Sequence, residues 1–332
     1  MARNPQGSVP ALENNGRMES HMALNQACVG KVYPPIITEV TLDAIQNYAR
    51  ACNDDNPRYF TADPLGGIVG AGVPGSMVNA GVPGEVVNAG VPGGIVAPPM
   101  FAVVVTWLSV ITAMTDTDLQ ADLLRLLHIA QDIEFIAPIR AGDSIASTGR
   151  IASIETHQNG ETMALELNAR NASGEAVNRT VFTVFIRGRS GKAAMVEAKS
   201  DPDDDRGAPL VTVAQAIDAD QTVRYAESSG DRNPIHVDVN VAKMAGLPGI
   251  IVHGLCTMAF TARVIVDGLC GSDPTRLKRL ALRFSRPVIP GDTLTTRVWP
   301  ADDRNGRRVF TYETCNSAGL AVIRGGVAEI AP

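Results

Sequence analysis

The segment GDRNPIHVD, residues 230–238, gathers a carboxylate, an amide and an imidazole around one proline. On a continuous α-helix Asp231 and His236 would point about 140° apart. Pro234 has no N–H to extend a helix, and a bend there can let the two side chains converge. A convergent acid and base can hold a water and move its proton. The same residues also make a good turn, with Gly230, Asp231, Asn233 and Pro234 shaping it and His236 satisfied in the core, so the motif alone leaves both readings open. Further on, His253-Gly254 opens an apolar stretch of helical length. The first N–H groups of a helix have no partner inside it, so Gly254 offers an amide to an anion. His253 is either a chemical group or a residue that only starts the helix.

The elements that must position these groups are written twice. YARACNDDNPRY, Tyr48 to Tyr59, aligns without gaps on YAESSGDRNPIH, Tyr225 to His236, at an offset of 177. EFIAPIRAGDSI, Glu134 to Ile145, aligns on RFSRPVIPGDTL, Arg283 to Leu294, at an offset of 149. The N-terminal half therefore holds extra residues between the two matches. Most are copies of a nonapeptide, GAGVPGSMV, NAGVPGEVV and NAGVPGGIV across residues 70–96, against a single MAGLPGIIV at 244–252. Recurrent Val-Pro-Gly predicts a turn-rich surface insert. Each half reads as a short strand (Ile36–Thr41; Leu210–Val213), an amphipathic helix bearing the tyrosine, the polar turn, a buried apolar helix (Met100–Met114; Leu255–Leu269) and alternating strands. Residues 1–30 read as a disordered N-terminal segment or tag and 188–208 as a linker. An N-terminal domain is expected over 31–187 and a C-terminal one over 209–332. A sheet wrapped round one helix, twice, is an α+β arrangement.

Composition narrows the function classes. The 332 residues carry a net charge of −6, which argues against an electrostatic grip on nucleic acid or an anionic membrane. The apolar run 100–114 has 15 residues, whereas a span needs roughly 20. Five cysteines with no C-x-x-C spacing argue against a disulfide framework or zinc knuckle and suit a reducing cytoplasm. No metal is expected: His236, Asp238 and His253 could be grouped on paper, without a cysteine ligand among them. Arg276, Lys278, Arg279, Arg283 and Arg286 form either an anion-binding patch or a solvated strand edge.

From Tyr225 to Ala242, YAESSGDRNPIHVDVNVA, and on through PGIIVHGLCT to Thr257, the chain resembles the MaoC-like dehydratases, or type 2 enoyl-CoA hydratases, which have the hot-dog fold. Its two related halves resemble the double hot-dog members, where one half keeps the catalytic motif and the other has lost it. The resemblance implies reversible hydration of trans-2-enoyl-CoA, or dehydration of (3R)-hydroxyacyl-CoA, in a chain of double hot-dog fold. By it, Asp231 and His236 are the catalytic pair, with His236 the general base, Asn233 orients the loop, and the Gly254 N–H forms the oxyanion hole. Tyr225, His253, Arg279 and Arg283 are expected to bind substrate. No cofactor is expected beyond the CoA of the substrate, which an acyl-carrier protein could replace, and a homodimer is expected. In the other half Tyr59 stands opposite His236, and Pro98, followed by Pro99, opposite Gly254. Base and N–H are both gone, so this half is expected to be silent and to shape the acyl pocket, although Asp54 and Asn56 survive. Two rival readings are a hot-dog thioesterase, for which the central helices offer no carboxylate before Asp267, and a non-catalytic acyl-thioester-binding protein.

Overall fold

The structure is a computed structural model that describes residues 23–61, 94–188 and 206–332. Residues 1–22, nearly all of the nonapeptide insert and most of the linker lie outside the described residues. The first half runs β1 (Ile36–Glu39), α1 (Leu42–Ala51), α2 (Ala102–Met114), β2 (Leu126–Phe135), β3 (Ser144–His157), β4 (Gly160–Arg170) and β5 (Ala176–Arg187). The second runs β6 (Val211–Ala216), α3 (Gln221–Ser229), α4 (Val239–Met244), α5 (Gly254–Leu269), β7 (Leu277–Phe284), β8 (Thr293–Arg304), β9 (Arg307–Cys315) and β10 (Ala321–Ile330).

Both halves lay their strands in the same spatial order, giving β1-β3-β4-β5-β2 and, from the far edge, β6-β8-β9-β10-β7. Long β2 and β7 would each leave a row of unpaired backbone groups at a sheet edge. They pair with one another instead, so the two sheets expected from the sequence are one continuous antiparallel sheet of ten strands. In that seam Asp132 faces Ala281, two residues separated by the same 149 positions that align Phe135 with Phe284. Asp132 thus pairs with its own repeat mate, and the internal two-fold passes between them. The buried helices α2 and α5 pack against the strands of their own half-sheets, the double hot-dog arrangement.

Local chemistry sets the ends of these elements. Thr41 accepts from the Ala44 N–H at 3.1 Å and caps α1, so β1 stops at Glu39, short of the expected Thr41. Pro98 and Pro99 cannot supply helical N–H groups, and a 3-10 turn over Pro99–Phe101 precedes α2, whereas α5 begins directly at Gly254. Asn305 and Gly306, both with positive φ, make the two-residue turn between β8 and β9. Residues 23–30, expected to be disordered, are ordered: Leu24 is buried, its N–H donates to Glu161 at 2.7 Å, and a 3-10 turn spans Gln26–Cys28. An apolar side chain and a buried acceptor tie this stretch to β4, a long-range contact invisible in its polar composition. No helix among the described residues is long and apolar enough to cross a membrane.

Candidate active site

Gly230 ends α3 in the left-handed region, φ +80°, where a side chain would be strained. The chain then turns on its own polar groups. Asp231 accepts from the Asn233 N–H at 3.1 Å, and Asn233 accepts from the Ile235 N–H at 3.3 Å. Asn233 thereby caps a 3-10 turn, Pro234–His236, whose first position suits a proline because no N–H is needed there. Asp238 next caps α4, a short helix that the sequence reading missed because its six residues show too little periodicity. Serving as that cap, Asp238 is absent from the cluster of potential metal ligands.

The bend brings the acid and the base together. Asp231 and His236 are 8% and 7% exposed, and His253, 1% exposed, completes a cluster in which one potential ligand atom from each residue lies within 4.8 Å of the others. His236 Nδ1 is 2.8 Å from the Ile251 carbonyl oxygen, which can only accept, so Nδ1 carries the hydrogen and Nε2 keeps its lone pair. By the same logic His253 Nε2, 3.0 Å from the Asp231 carbonyl oxygen, is a donor. The two imidazoles stack with centroids 3.8 Å apart and planes 27° from parallel. The cluster has the ligand types for a metal, but His236 Nδ1 and His253 Nε2 are already bonded to backbone carbonyls, which leaves one ring nitrogen of each. A separation of up to 4.8 Å is one that a bridging water can span.

Burial sets the charge states. It pushes the Asp231 carboxyl up to about 6, opposed by the Asn233 N–H. It pushes His236 down to about 4 and His253 to about 2, the latter helped by the neighbouring His236. At neutral pH both imidazoles are neutral and Asp231 is ionised. The usual order of basicity is inverted: of the pair, the carboxylate holds a proton more tightly than His236, expected above to be the general base.

Gly254 opens α5 with its N–H in the first turn, directly after His253. A Cβ added there would meet the Phe284 ring at 3.2 Å, so the position needs a glycine as well as an amide. Phe284 in turn rests on His128, itself stacked on Phe182 with centroids 4.0 Å apart, a row of rings leading from Gly254 into the N-terminal half. Tyr225 is fully buried and packs on His253, ring centroids 4.9 Å apart and planes tilted by 46°. Arg279 is held in the seam, bidentate to Asp132 at 2.7 and 2.9 Å and 3.0 Å from Glu329, which places it in a structural network rather than in the open. Arg283 is exposed, on the face of its strand opposite to Phe284, with no ion pair among the described residues. Asp267, the first carboxylate on α5, sits at the far end with Arg263 and Ser272, distant from Gly254 and so unsuited to thioester hydrolysis there.

In the N-terminal half, Asp54 and Asn56 repeat the turn: Asp54 accepts from the Asn56 N–H at 3.2 Å. Burial raises Asp54 to about 7. Tyr59 is fully buried and its hydroxyl has no partner among the described residues. The sequence reading missed three groups around the intact site. Ser229 accepts from the Asp231 N–H at 3.2 Å, Phe284 covers Gly254, and Trp107 comes from the other half. Phe284 had a signal, its match to Phe135; the other two had none.

Fold and site together define a double hot-dog protein that keeps the Asp-x-Asn-Pro turn in both halves and ends it on a histidine in one and a tyrosine in the other. A model of the MaoC like domain matches residues 201–320, and one of the FAS1-like dehydratase domain region matches 89–180. The chain is 31% identical over 218 residues to a probable enoyl-CoA hydratase 2 of Dictyostelium discoideum, covering 64% of this chain and 73% of that protein. It is 34% identical over 212 residues to 3-hydroxyacyl-thioester dehydratase Y of Mycobacterium tuberculosis, covering 61% and 72%. A solved MaoC-like dehydratase superposes with a TM-score of 0.72 at 20% identity, over 92% of this chain and 99% of that one, a likeness of fold. The chain belongs to the MaoC-like dehydratase family.

Proposed function

We propose that the chain is a hydro-lyase catalysing reversible hydration of trans-2-enoyl-CoA and dehydration of the corresponding 3-hydroxyacyl-CoA, of (3R) hand by family resemblance. The observation that carries this reading is the gathering of Asp231 and of His236, whose Nε2 keeps its lone pair, into one buried cluster next to the first turn of α5. Asp231 and His236 hold one water against the β-carbon, which conjugation with the thioester carbonyl makes electrophilic. The pair takes a proton as the hydroxyl adds, and the more basic Asp231 is where that proton comes to rest. Negative charge moves to the thioester oxygen, where the Gly254 N–H and the α5 dipole stabilise the enolate. The proton then passes to the α-carbon, so the elements of water are divided across the double bond and the site is restored. In reverse the same groups remove water.

Arg283, exposed and without an ion pair among the described residues, is assigned to a phosphate of CoA. A homodimer and a cytoplasmic setting remain part of this proposal. Loss of the conjugated-thioester absorbance on adding enoyl-CoA tests the reading. Asp231→Asn and His236→Ala are each expected to lower kcat by about 10²–10⁴ with the fold retained. Unimpaired turnover in both, or release of free thiol in place of hydration, would reject it.

A further inference from the structure

Residues 128 and 131 on β2 are three apart and would face opposite sides of a regular strand. A register shift between His128 and Ala130, where β2 pairs with β5, adds one residue and brings both to the same buried face, opposite Val184 and Phe182. There His128 Nε2 lies 3.0 Å from the Ala130 carbonyl oxygen and 3.0 Å from Gln131 Oε1. The carbonyl only accepts, so Nε2 is the donor and its hydrogen is shared between two acceptors. Burial pushes the imidazole down to about 4, which leaves it neutral. Gln131 is 2% exposed.

The other half builds the same device from different side chains. At the offset of 149, the repeat mates of His128 and Gln131 are Leu277 and Leu280. A register shift lies there too, between Arg279, opposite Glu329, and Leu277, opposite Ile330. Both leucines are buried. Leu277 borders a small cleft together with Phe135 and Pro98, which match Phe284 and Gly254. The fold is thus complete with two leucines beside a proline, and has a histidine and a glutamine where the matching residue offers an amide. A buried polar pair stabilises a core no better than apolar groups of like shape, so its reason lies in the site rather than in folding.

Phe284 connects this pair to the site. Its ring lies 3.2 Å from where a Cβ on Gly254 would stand, and it packs on His128 with centroids 4.8 Å apart. His128 is itself stacked on Phe182 and held at Nε2. We propose that His128, anchored by Gln131, is a positioning residue supplied by the N-terminal half, which holds the Phe284 ring against Gly254 and so keeps the Gly254 amide ready for the thioester oxygen. The role rests on the function proposed above. A ring fixed there keeps water from the amide, and the N–H is free to meet enolate charge. Without its neighbour the ring can turn to another rotamer and let water compete.

His128→Leu combined with Gln131→Leu gives β2 the side chains that β7 already carries, so the fold is expected to persist, and a melting curve checks it. In the full chain this double variant is expected to lower kcat for enoyl-CoA hydration about tenfold, with KM changed by less than about twofold. Gln131→Leu alone keeps the His128 ring and its bond to Ala130, and is expected to lower kcat about threefold. In a chain already carrying Phe284→Leu, the same two leucines are expected to change kcat no further, because the ring they act through is gone. Undiminished kcat in both variants, a rise in KM alone, or a further loss of the same size in the Phe284→Leu chain overturns the proposal. A natural chain that hydrates no enoyl-CoA rejects the functional reading and this role with it, whereas an active natural chain with equally active variants rejects the role alone.

Discussion

The indole N–H of Trp107, on α2 of the degenerate half, donates to the carbonyl oxygen of Gly230 at 3.0 Å, at the start of the intact half's catalytic turn. Its image is Arg263 on α5, which donates to the carbonyl of Asn53, the residue aligned with Gly230 and likewise of positive φ. Trp107 and Arg263 are 156 positions apart, as are Pro98 and Gly254. Each half thus fastens the other's polar turn from its buried helix. Trp107→Phe keeps the ring and removes the donor. It is expected to lower kcat about fivefold, the worth of one hydrogen bond, with KM little changed. Steady-state kinetics showing a change in KM alone would argue against a positioning role.

The inverted basicities make a pH prediction. Asp231 must be ionised and His236 neutral, and burial places their free-enzyme values at about 6 and about 4. kcat/KM should therefore be level above neutrality and fall about tenfold per unit below pH 6, as the carboxylate takes up a proton. A profile flat down to pH 5 would contradict the assignment of Asp231.

Gly254 is the residue most sensitive to size. Gly254→Ala brings a methyl to 3.2 Å from the Phe284 ring and is expected to displace the α5 start, lowering kcat by about 10–100-fold. Phe284→Leu in the same chain should recover part of that loss. Absence of any recovery would separate the defect from this contact.

The retained Asp54 is predicted to cost stability at neutral pH. The fold holds it protonated up to about pH 7, whereas its reference value is 3.8, so between these the unfolded chain binds fewer protons than the native one. Stability from this group is lost as pH rises through that window. Asp54→Asn should match the natural chain at pH 4 and exceed it at pH 8, with a ceiling of roughly 4 kcal/mol. Urea unfolding at the two pH values checks this, and equal stabilities at pH 8 would refute it.

Arg279 and Arg283 should behave differently despite standing four residues apart on one strand. Arg279→Ala breaks the seam's pairs with Asp132 and Glu329, which are about a third exposed or less, and is expected to cost about 1 kcal/mol with KM unchanged. Arg283→Ala should raise KM for enoyl-CoA several-fold and leave thermal stability alone. Kinetics and melting curves on both variants decide the matter.

Sequence alone determined the duplicated plan, the paired helices and strands, the polar turn at Asp231 to His236 and the loss of base and amide in the other half. These rest on periodicity, on proline's missing N–H and on residue identities at matched positions, all local or directly alignable. Only the tertiary structure decided that β2 and β7 merge two sheets into one, that Arg279 is consumed by that seam, and that Trp107 and Phe284 complete the site. The order of basicity of Asp231 and His236 also belongs to the fold. It arises from desolvation, which depends on how much chain folds over each group, and no spacing along a sequence encodes that.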